Sequence, residues 1–384
     1  MTQTFSIRTI CCNLSLDADA ATAIRSTAAV FNAAATSCAQ VAWNERITNK
    51  NKLHHIVYGP TRSTYGLGAQ LACCARDKAA EAVRAARANG AATCPTFKPD
   101  SSIRYDARTY RLMRMDRVSL NTLTGRVVGR LVLGDYQRRH AGATAGGGAA
   151  LLQRDGRVYL HITQTKANPA PDEPTGFLGV DLGIVNLAAD SAGATYRGAH
   201  VQRVRCRRVT HRQRLQKANT RRARWRLRQN ARREARFQRD VNHCISKPLV
   251  QQARTTRKAL AVEELSYIRQ RVTVRREQRR ARHSWAFRQL RSFLAYKAQQ
   301  AGVRVVAVDP RNTSRTCAVC GHGAQGNRPD QAHFCCLPCG HTAAADTNAA
   351  VTIASRAARQ TASGAAPTSV GGASTSPPAS AVGS

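Results

Sequence analysis

The spacing of apolar residues divides the chain into segments of different secondary structure. Residues 1–15 form a strand-like run, whereas apolar positions recur at helical spacing through 20–43 and 69–88. From 97 to 166, runs rich in β-branched and aliphatic residues alternate with turn signals, a pattern that favours short strands. The sequence therefore predicts a helical segment inserted into a small barrel or sheet, to which the first strand also belongs.

A proline-rich joint at 168–174 separates this part from a third part that runs to about residue 358. Within the third part, two short apolar runs at 176–183 and 259–265 are typical of buried strands. The tail from Thr361 is rich in Ala, Ser, Gly and Pro, so we expect it to be disordered.

Each of the two apolar strands contains a carboxylate near its end. Asp181 lies in one and Glu263 in the other, while Glu264 points to the opposite face because side chains alternate along a strand. A buried carboxylate is costly unless a cation or hydrogen-bond donors meet it. Taken alone, either acid fits backbone hydrogen bonding at a strand end or an arginine pair, and Asp346 fits an N-cap of the following helix.

Two Cys-x-x-Cys pairs lie in the last third of the chain. Cys317 and Cys320 are separated by fifteen residues from Cys336 and Cys339. Each pair presents two sulfurs on a tight turn, and the intervening loop lets the four thiolates surround one tetrahedral Zn²⁺. Cys335 is left out of the ligand set, because the spacing from Cys336 to Cys339 makes the better knuckle.

The overall charge indicates a polyanionic partner. The 384 residues carry 60 Lys and Arg against 22 Asp and Glu, a formal net charge of +38. Nucleic acid fits such an excess, because neutralising phosphates releases condensed counterions. A membrane surface is the alternative, but no apolar stretch reaches spanning length. Thirteen cysteines without an export signal favour a reducing compartment, so we expect a cytoplasmic, nucleoid-associated bacterial protein with no membrane partner.

The positive charge is concentrated between Val201 and Asp240, where sixteen residues are Lys or Arg. The composition predicts one long basic helix laid along phosphates, with Trp225 and Phe237 packed on the core or on a base. A solvated charged face is the ordinary alternative. A second basic cluster at 269–282 is expected to extend the same groove or to form a lid. The candidate nucleic-acid contacts are Arg203, Arg205, Arg207, Arg208, Arg212, Arg214, Arg221, Arg222, Arg224 and Arg228.

Three acids, Asp181, Glu263 and Asp346, are easier to explain together than apart. Two Asp and one Glu that converge from two strands and a helix start can hold two divalent ions roughly 4 Å apart, one activating water and one stabilising a leaving 3′ oxygen. Hard carboxylate oxygens suit Mg²⁺ or Mn²⁺, whereas thiolates suit Zn²⁺. The three acids are therefore the candidate catalytic residues and Mg²⁺ or Mn²⁺ ligands.

The motifs around these residues resemble those of the TnpB family of transposon-encoded, RNA-guided DNA nucleases, which are relatives of the type V CRISPR effectors. The helix before the ribbon also looks like the family's, at 284–287 and 296–297. The resemblance covers roughly residues 175–355. It rests on Gly179-Val-Asp-Leu-Gly183, Val262-Glu-Glu-Leu265, 312–321, 334–340 and Asp346-Thr-Asn-Ala-Ala350.

The resemblance implies a RuvC-type, RNase H-like nuclease fold that uses Asp181, Glu263 and Asp346 and is interrupted by a zinc ribbon. It also implies a guide RNA and a DNA target as partners, and a wedge-like β-barrel and helical recognition lobe in the N-terminal half. Ala344 and Ala345 depart from the family pattern, in which a basic and an acidic residue often precede the last acid. All three acids are present, so we expect an active nuclease.

The expected fold class is α/β plus accessory domains. The expected segments are 1–15 for the first barrel strand, 16–96 for the helical lobe, 97–172 for the rest of the barrel, 173–312 for the nuclease, 313–342 for the zinc ribbon, 343–358 for the final nuclease helix and 359–384 for a disordered tail.

The expected function is RNA-guided DNA cleavage on behalf of a mobile element, with base pairing to the guide supplying the choice of sequence. A compact type V CRISPR effector with the same acids and ribbon is one alternative, and the genomic neighbourhood would separate the two. A DNA-binding protein without cleavage is a second alternative. A DNA-joining transposase is a third, although no catalytic Tyr or Ser recombinase motif stands out.

Overall fold

The computed structural model describes residues 4–114, 116–141, 147–264 and 287–363. It divides into two compact units, one from Phe5 to Ala167 and one that begins at Asn168. Three expectations lie outside the described residues: the basic cluster at 269–282, the family-like residues at 284–286, and the disordered tail beyond residue 363.

The first unit combines a sheet with a group of helices. Its elements in chain order are β1 (Phe5–Ser15), α1 (Ala18–Asn44), α2 (Lys50–Tyr65), α3 (Ala69–Ala88), β2 (Ile103–Tyr105), β3 (Tyr110–Arg114), β4 (Arg117–Thr122), β5 (Gly125–Val132), α4 (Asp135–Ala141), β6 (Ala149–Arg154) and β7 (Arg157–Ala167). The helices predicted over 20–43 and 69–88 are confirmed as α1 and α3.

The first strand does rejoin the sheet across the helical insertion. The seven strands pair antiparallel in the order β2-β6-β7-β1-β5-β4-β3, so β1 lies between the strand pairs that follow the helices. The hydroxyl of Tyr110 on β3 donates to the carbonyl oxygen of Gly147 beside β6, at 2.8 Å. That bond brings the two ends of the sheet toward each other, so the sheet is strongly curled.

The second unit contains a mixed sheet, a long helical hairpin and a small two-stranded ribbon. Its elements are β8 (Phe177–Asp181), β9 (Asn186–Asp190), β10 (Thr195–Arg197), α5 (Ala199–Ala218), α6 (Arg221–Thr255), β11 (Ala259–Glu263), α7 (Phe287–Ala301), β12 (Val305–Val308), a 3₁₀ turn (Gln325–Asn327), β13 (His333–Cys335), β14 (Thr342–Ala344) and α8 (Ala345–Ala362).

The five-stranded sheet of this unit has the order β10-β9-β8-β11-β12. Strands β8, β11 and β12 run parallel, while β9 and β10 are antiparallel additions at one edge. One face packs against α6 and α7 through residues such as Leu249 and Leu294. The other face packs against α8 through Ile353 and Ala357. Alternating side chains on the central strands therefore pack against α6 and α7 on one face and against α8 on the other.

Two sequence predictions about helices are wrong in their extent. The basic stretch forms two helices instead of one, because Asn219 adopts a left-handed φ of 45° and the Thr220 side chain accepts a hydrogen bond from the Ala223 amide at 3.1 Å. Asn tolerates that conformation and Thr is a good N-cap, so the pair ends one helix and begins the next. The last helix continues to Ala362, past the predicted limit of residue 358, because good helix formers continue there.

Candidate active site

Strand register places two of the predicted acids side by side. In the parallel pair of β8 and β11, Val180 lies opposite Val262, and each strand ends with the next residue, Asp181 and Glu263. The carboxyl ends of parallel strands meet at one edge of a sheet. Side-chain alternation turns both acids toward the face that α8 covers.

Helix α8 brings the third acid to the same place. The helix lies directly on β8 at Gly179, where an added Cβ would lie only 2.0 Å from the carbonyl oxygen of Ala350 and 2.7 Å from the amide nitrogen of Ala354. This close approach needs a residue without a side chain. Asp346 sits in the first turn of α8, and the N-cap is Ala344, so the alternative that Asp346 itself caps the helix is wrong.

The electrostatics of Asp181 indicate that the three acids share one site. Burial, and then the charges of Glu263 and Asp346, raise the pKa of Asp181 to about 8, although Arg328 opposes the rise. Burial also raises the pKa of Glu263, which is 8% exposed. Carboxylates that repel one another in a buried site are a good place for divalent cations, because the cations remove both the repulsion and part of the desolvation cost.

Neighbouring polar groups hold the carboxylates of Glu263 and Asp346. The Thr313 hydroxyl donates to Glu263 Oε1. Asp346 accepts at both oxygens, from Asn186 Nδ2 at 2.8 Å and from Arg328 Nη2 at 3.4 Å. Glu263 and Asp346 therefore each have a side-chain contact that orients the carboxylate.

Sequence reasoning missed these three supporting residues. Asn186 offered a usable signal, because it is an amide that opens a short strand five residues after Asp181. Arg328 offered none, since it is one of 60 basic residues. Thr313 belongs to a loop whose position only the fold reveals.

The structure turns Glu264 away from the acid site, as strand alternation predicted. Its carboxylate forms an ion pair with Arg291 on α7, on the opposite side of the sheet. The two neighbouring glutamates therefore have different surroundings: Glu263 faces the acids and α8, whereas Glu264 helps to attach α7.

The four predicted cysteines form one cluster. Among the described residues, Cys317, Cys320, Cys336 and Cys339 alone bring three or more potential ligand atoms within 4.8 Å of one another. The Sγ atoms of Cys317 and Cys339 lie 3.7 Å apart, and those of Cys320 and Cys336 lie 3.4 Å apart. Tetrahedral zinc with Zn–S bonds of about 2.3 Å places sulfurs about 3.8 Å apart, so the set fits Zn²⁺.

The two Cys-x-x-Cys knuckles have nearly the same backbone conformation and hydrogen bonds. The amide of Cys317 donates to the His322 carbonyl, and the amide of Cys336 donates to the His341 carbonyl, both at 2.9 Å. Gly321 and Gly340 follow the second cysteine of each pair with φ of 76° and 68°, a conformation that favours glycine. Cys335 is exposed on β13 and is not among the four clustered cysteines.

The basic helices α5 and α6 form a separate charged region. Of the ten predicted contact arginines, eight are exposed and two, Arg205 and Arg208, are partly covered. Arg208 stacks over the ring of Phe237 at 4.7 Å, and Phe237 packs on the core. Trp225 is 59% exposed, so it does not pack in the core. Within the described ranges, no helix is long and apolar enough to cross a membrane.

Comparison with known proteins finds a family model that matches part of the second unit. Residues 287–353 match the model "Cas12f1-like, TNB domain", a span that runs from α7 through the cysteine cluster into α8. The chain is similar to three named relatives. The CRISPR-associated endodeoxyribonuclease Cas12f2 of a Micrarchaeota archaeon is 31% identical over a match that covers 53% of this chain and 41% of the relative. The putative RNA-guided DNA endonuclease InsQ of Escherichia coli K12 is 46% identical over 17% of this chain and 16% of the relative. The TnpB-like protein MJ0751 of Methanocaldococcus jannaschii is 37% identical over 23% of this chain and 32% of the relative.

These matches include proteins named as TnpB-like, as RNA-guided and as CRISPR-associated. In each case the match spans less than half of the relative's length. The resemblance read from the motifs is confirmed by these matches to TnpB-like and type V effector proteins.

Proposed function

We propose that the protein is an RNA-guided DNA endonuclease of a transposable element. The observation that carries the proposal is the convergence of Asp181, Glu263 and Asp346, with the pKa of Asp181 raised to about 8 by burial and by the other two charges. Relatives named as RNA-guided or CRISPR-associated endonucleases support the same activity. The five-stranded sheet with α8 would be the RNase H-like nuclease core, and the seven-stranded sheet with α1–α3 would be the wedge barrel and recognition lobe.

The three acids would be the ligands of the catalytic ions, and their chemistry fits that role. Mg²⁺ or Mn²⁺ bound there would supply water activation and stabilisation of the leaving 3′ oxygen. The carboxylate oxygens are hard donors, which suit Mg²⁺ or Mn²⁺. Asn186 and Thr313 would keep the oxygens of Asp346 and Glu263 aimed at the ions.

The guide RNA and its target would lie against the basic helices. Exposed arginines spaced along α5 and α6 would neutralise phosphates without reading bases, which suits a protein whose sequence choice comes from base pairing. Zn²⁺ in the four-cysteine cluster would be structural, because four thiolates complete the tetrahedron and leave no open position.

Plasmid cleavage in Mg²⁺ tests this proposal, using protein co-expressed with its native flanking DNA so that a guide RNA copurifies. We expect cleavage that follows a reprogrammed guide and disappears in Asp181→Ala. The matched control is Glu173→Gln, which removes one negative charge at a side chain that is 83% exposed and that precedes the start of β8, the strand whose other end carries Asp181.

Two outcomes would change the conclusion. RNA and target binding without cleavage by the unaltered protein would favour a binding-only role, and Ala344 and Ala345 would then be the first residues to replace. Guided cleavage by a protein encoded beside a repeat array would favour the type V CRISPR alternative, which uses the same chemistry.

A further inference from the structure

Two buried asparagines organise the cysteine ribbon in different ways. Asn327, which is 0% exposed, donates through Nδ2 to the carbonyls of Arg315 and His322, both at 3.0 Å, and accepts from the Leu337 amide at 3.1 Å. These bonds tie the first knuckle to the second. Asn327 therefore stabilises the ribbon internally.

Asn348 makes the corresponding bonds between the ribbon and α8. It is 1% exposed; its Nδ2 donates to the Thr316 carbonyl at 2.8 Å and its Oδ1 accepts from the Ala318 amide at 3.0 Å. Thr316 and Ala318 are the two neighbours of the cysteine ligand Cys317. One side chain thus holds the backbone on both sides of a cluster cysteine.

The position of Asn348 in the helix makes this bond informative about the acid site. It lies two residues after Asp346, in the first turns of α8. One turn further on, the Thr352 hydroxyl donates to the same Thr316 carbonyl at 3.2 Å. The start of α8 is therefore held on the sheet side by Gly179 and on the ribbon side by Asn348.

We propose that Asn348 is a positioning residue through which zinc in the cysteine cluster sets the place of Asp346, so that the acid site binds divalent ions well only when the ribbon is loaded. The inference rests on the proposed function, since it takes the acids to be metal ligands. An empty cluster leaves the knuckle around Cys317 without its central bonds. A shift of that knuckle then reaches the helix mainly through Asn348, which holds both neighbours of Cys317, whereas Thr352 holds one of them. Displacements of about 1 Å are enough to spoil a catalytic arrangement.

The test measures Mn²⁺ binding to the full-length protein by electron paramagnetic resonance, with zinc content determined in parallel. Asp181→Asn provides the background of Mn²⁺ bound elsewhere. In the unaltered protein we expect zinc removal to weaken Mn²⁺ binding at the acids by about ten-fold, the scale typical of lost support around a metal ligand. In Asn348→Ala we expect zinc to be retained, Mn²⁺ binding to be weak already, and zinc removal to have little further effect.

The matched control is Asn327→Ala, which removes an equally buried amide that has three backbone partners, against two for Asn348. We expect it to lose zinc readily and to regain Mn²⁺ affinity when zinc is restored in excess, whereas Asn348→Ala should not be rescued. A second variant, Asn348→Leu, fills nearly the same volume and makes neither of the two hydrogen bonds, so it provides the same comparison should the alanine variant fail to fold.

Unchanged Mn²⁺ affinity after zinc removal from the unaltered protein would overturn the inference without any variant. Equal losses on zinc removal in the unaltered protein and in Asn348→Ala would also overturn it. Absence of guided cleavage by the unaltered protein would instead contradict the proposed function. The Mn²⁺ measurements would still decide whether zinc in the cysteine cluster affects metal binding at the acids.

Discussion

Two regions of the second unit hold their polar side chains in opposite ways. Around α8 the polar residues are buried or partly buried, and they are paired: Arg356 donates to the carbonyls of Asp309 at 2.9 Å and Arg311 at 2.6 Å, and Asn348 and Asp346 also have hydrogen-bond partners. Along α5 and α6 most arginines are exposed to solvent. The role of the first region depends on the position of each side chain, while the role of the second depends on its total positive charge.

The difference has consequences for single substitutions. A buried polar group that loses its partner costs about 1–3 kcal/mol, so one change near α8 should have a large and specific effect. Exposed charges act on phosphates at longer range and sum with their neighbours. One change along the basic helices should therefore lower the affinity for nucleic acid only slightly. Its main consequence should be a weaker dependence of that affinity on salt concentration.

The largest effect is expected at the cysteine cluster. Cys336→Ser removes one of four thiolates, and we expect the chain to lose its bound zinc and the ribbon to become sensitive to protease. Structural zinc supplies roughly 10–16 kcal/mol of apparent binding free energy in zinc-finger peptides. Elemental analysis and limited proteolysis check this. Cys335→Ser is the control, because that neighbouring thiol is exposed and outside the cluster; equal zinc loss from both variants would refute the ligand set.

The next largest effect is expected where α8 touches the sheet. Gly179→Ala places a Cβ 2.0 Å from the Ala350 carbonyl oxygen, so the helix must move off β8. We expect the free energy of unfolding to fall by about 3 kcal/mol, at the upper end of overpacking costs, and cleavage to be lost because Asp346 moves with the helix. Denaturant unfolding measures the change in the free energy of unfolding. Gly176→Ala should be within about 0.5 kcal/mol of the unaltered protein, since nothing lies within 4 Å of its added Cβ.

A moderate effect is expected from pH in buffer free of Mg²⁺ and Mn²⁺. The pKa of Asp181 rises from its ordinary 3.8 to about 8 in the folded protein. The folded state therefore keeps a proton that the unfolded chain releases, and stability should fall as pH rises from about 4 through 8. We expect the unfolding temperature to drop between pH 5.5 and pH 8.5, and to drop less in Asp181→Asn.

Added Mg²⁺ sharpens the same experiment, because cations remove the repulsion among the acids. At pH 8.5 we expect Mg²⁺ to raise the unfolding temperature of the unaltered protein more than that of Asp181→Asn. An equal pH dependence in the two proteins would show that Asp181 is not the group responsible.

The contrast between the two regions also explains which features the sequence could predict. The ligand spacing of the knuckles is local, and the apolar strands that end in Asp181 and Glu263 stand out in a chain with few acids, so these positions were predictable. Asn348 lay inside a quoted motif, but its role depends on the backbone of Thr316 and Ala318, which is about thirty residues away along the chain. Such a contact is set by tertiary packing and leaves no local signal.

The basic region was predictable in charge but not in shape. Sixteen cationic residues indicated a polyanion, yet the break at Asn219 and Thr220 depends on one backbone conformation within an otherwise helical stretch. Individual roles were also hidden, because Arg208 and Arg212 look alike in sequence. Only the fold distinguishes the arginine that packs on Phe237 from the one that faces solvent.

The smallest effect is expected from that pair of arginines, and it tests the comparison most directly. Arg212→Gln removes an exposed charge, so we expect guide RNA to bind a few-fold more weakly, the slope of log affinity against log salt to fall by about one, and stability to stay the same. Arg208→Gln removes the guanidinium that covers Phe237, so we expect lower stability with a smaller change in salt slope. RNA binding over a range of salt concentrations, together with thermal unfolding, measures both. A reversed result, with Arg208 setting the salt slope and Arg212 the stability, would mean that the nucleic acid lies on the inner side of the hairpin.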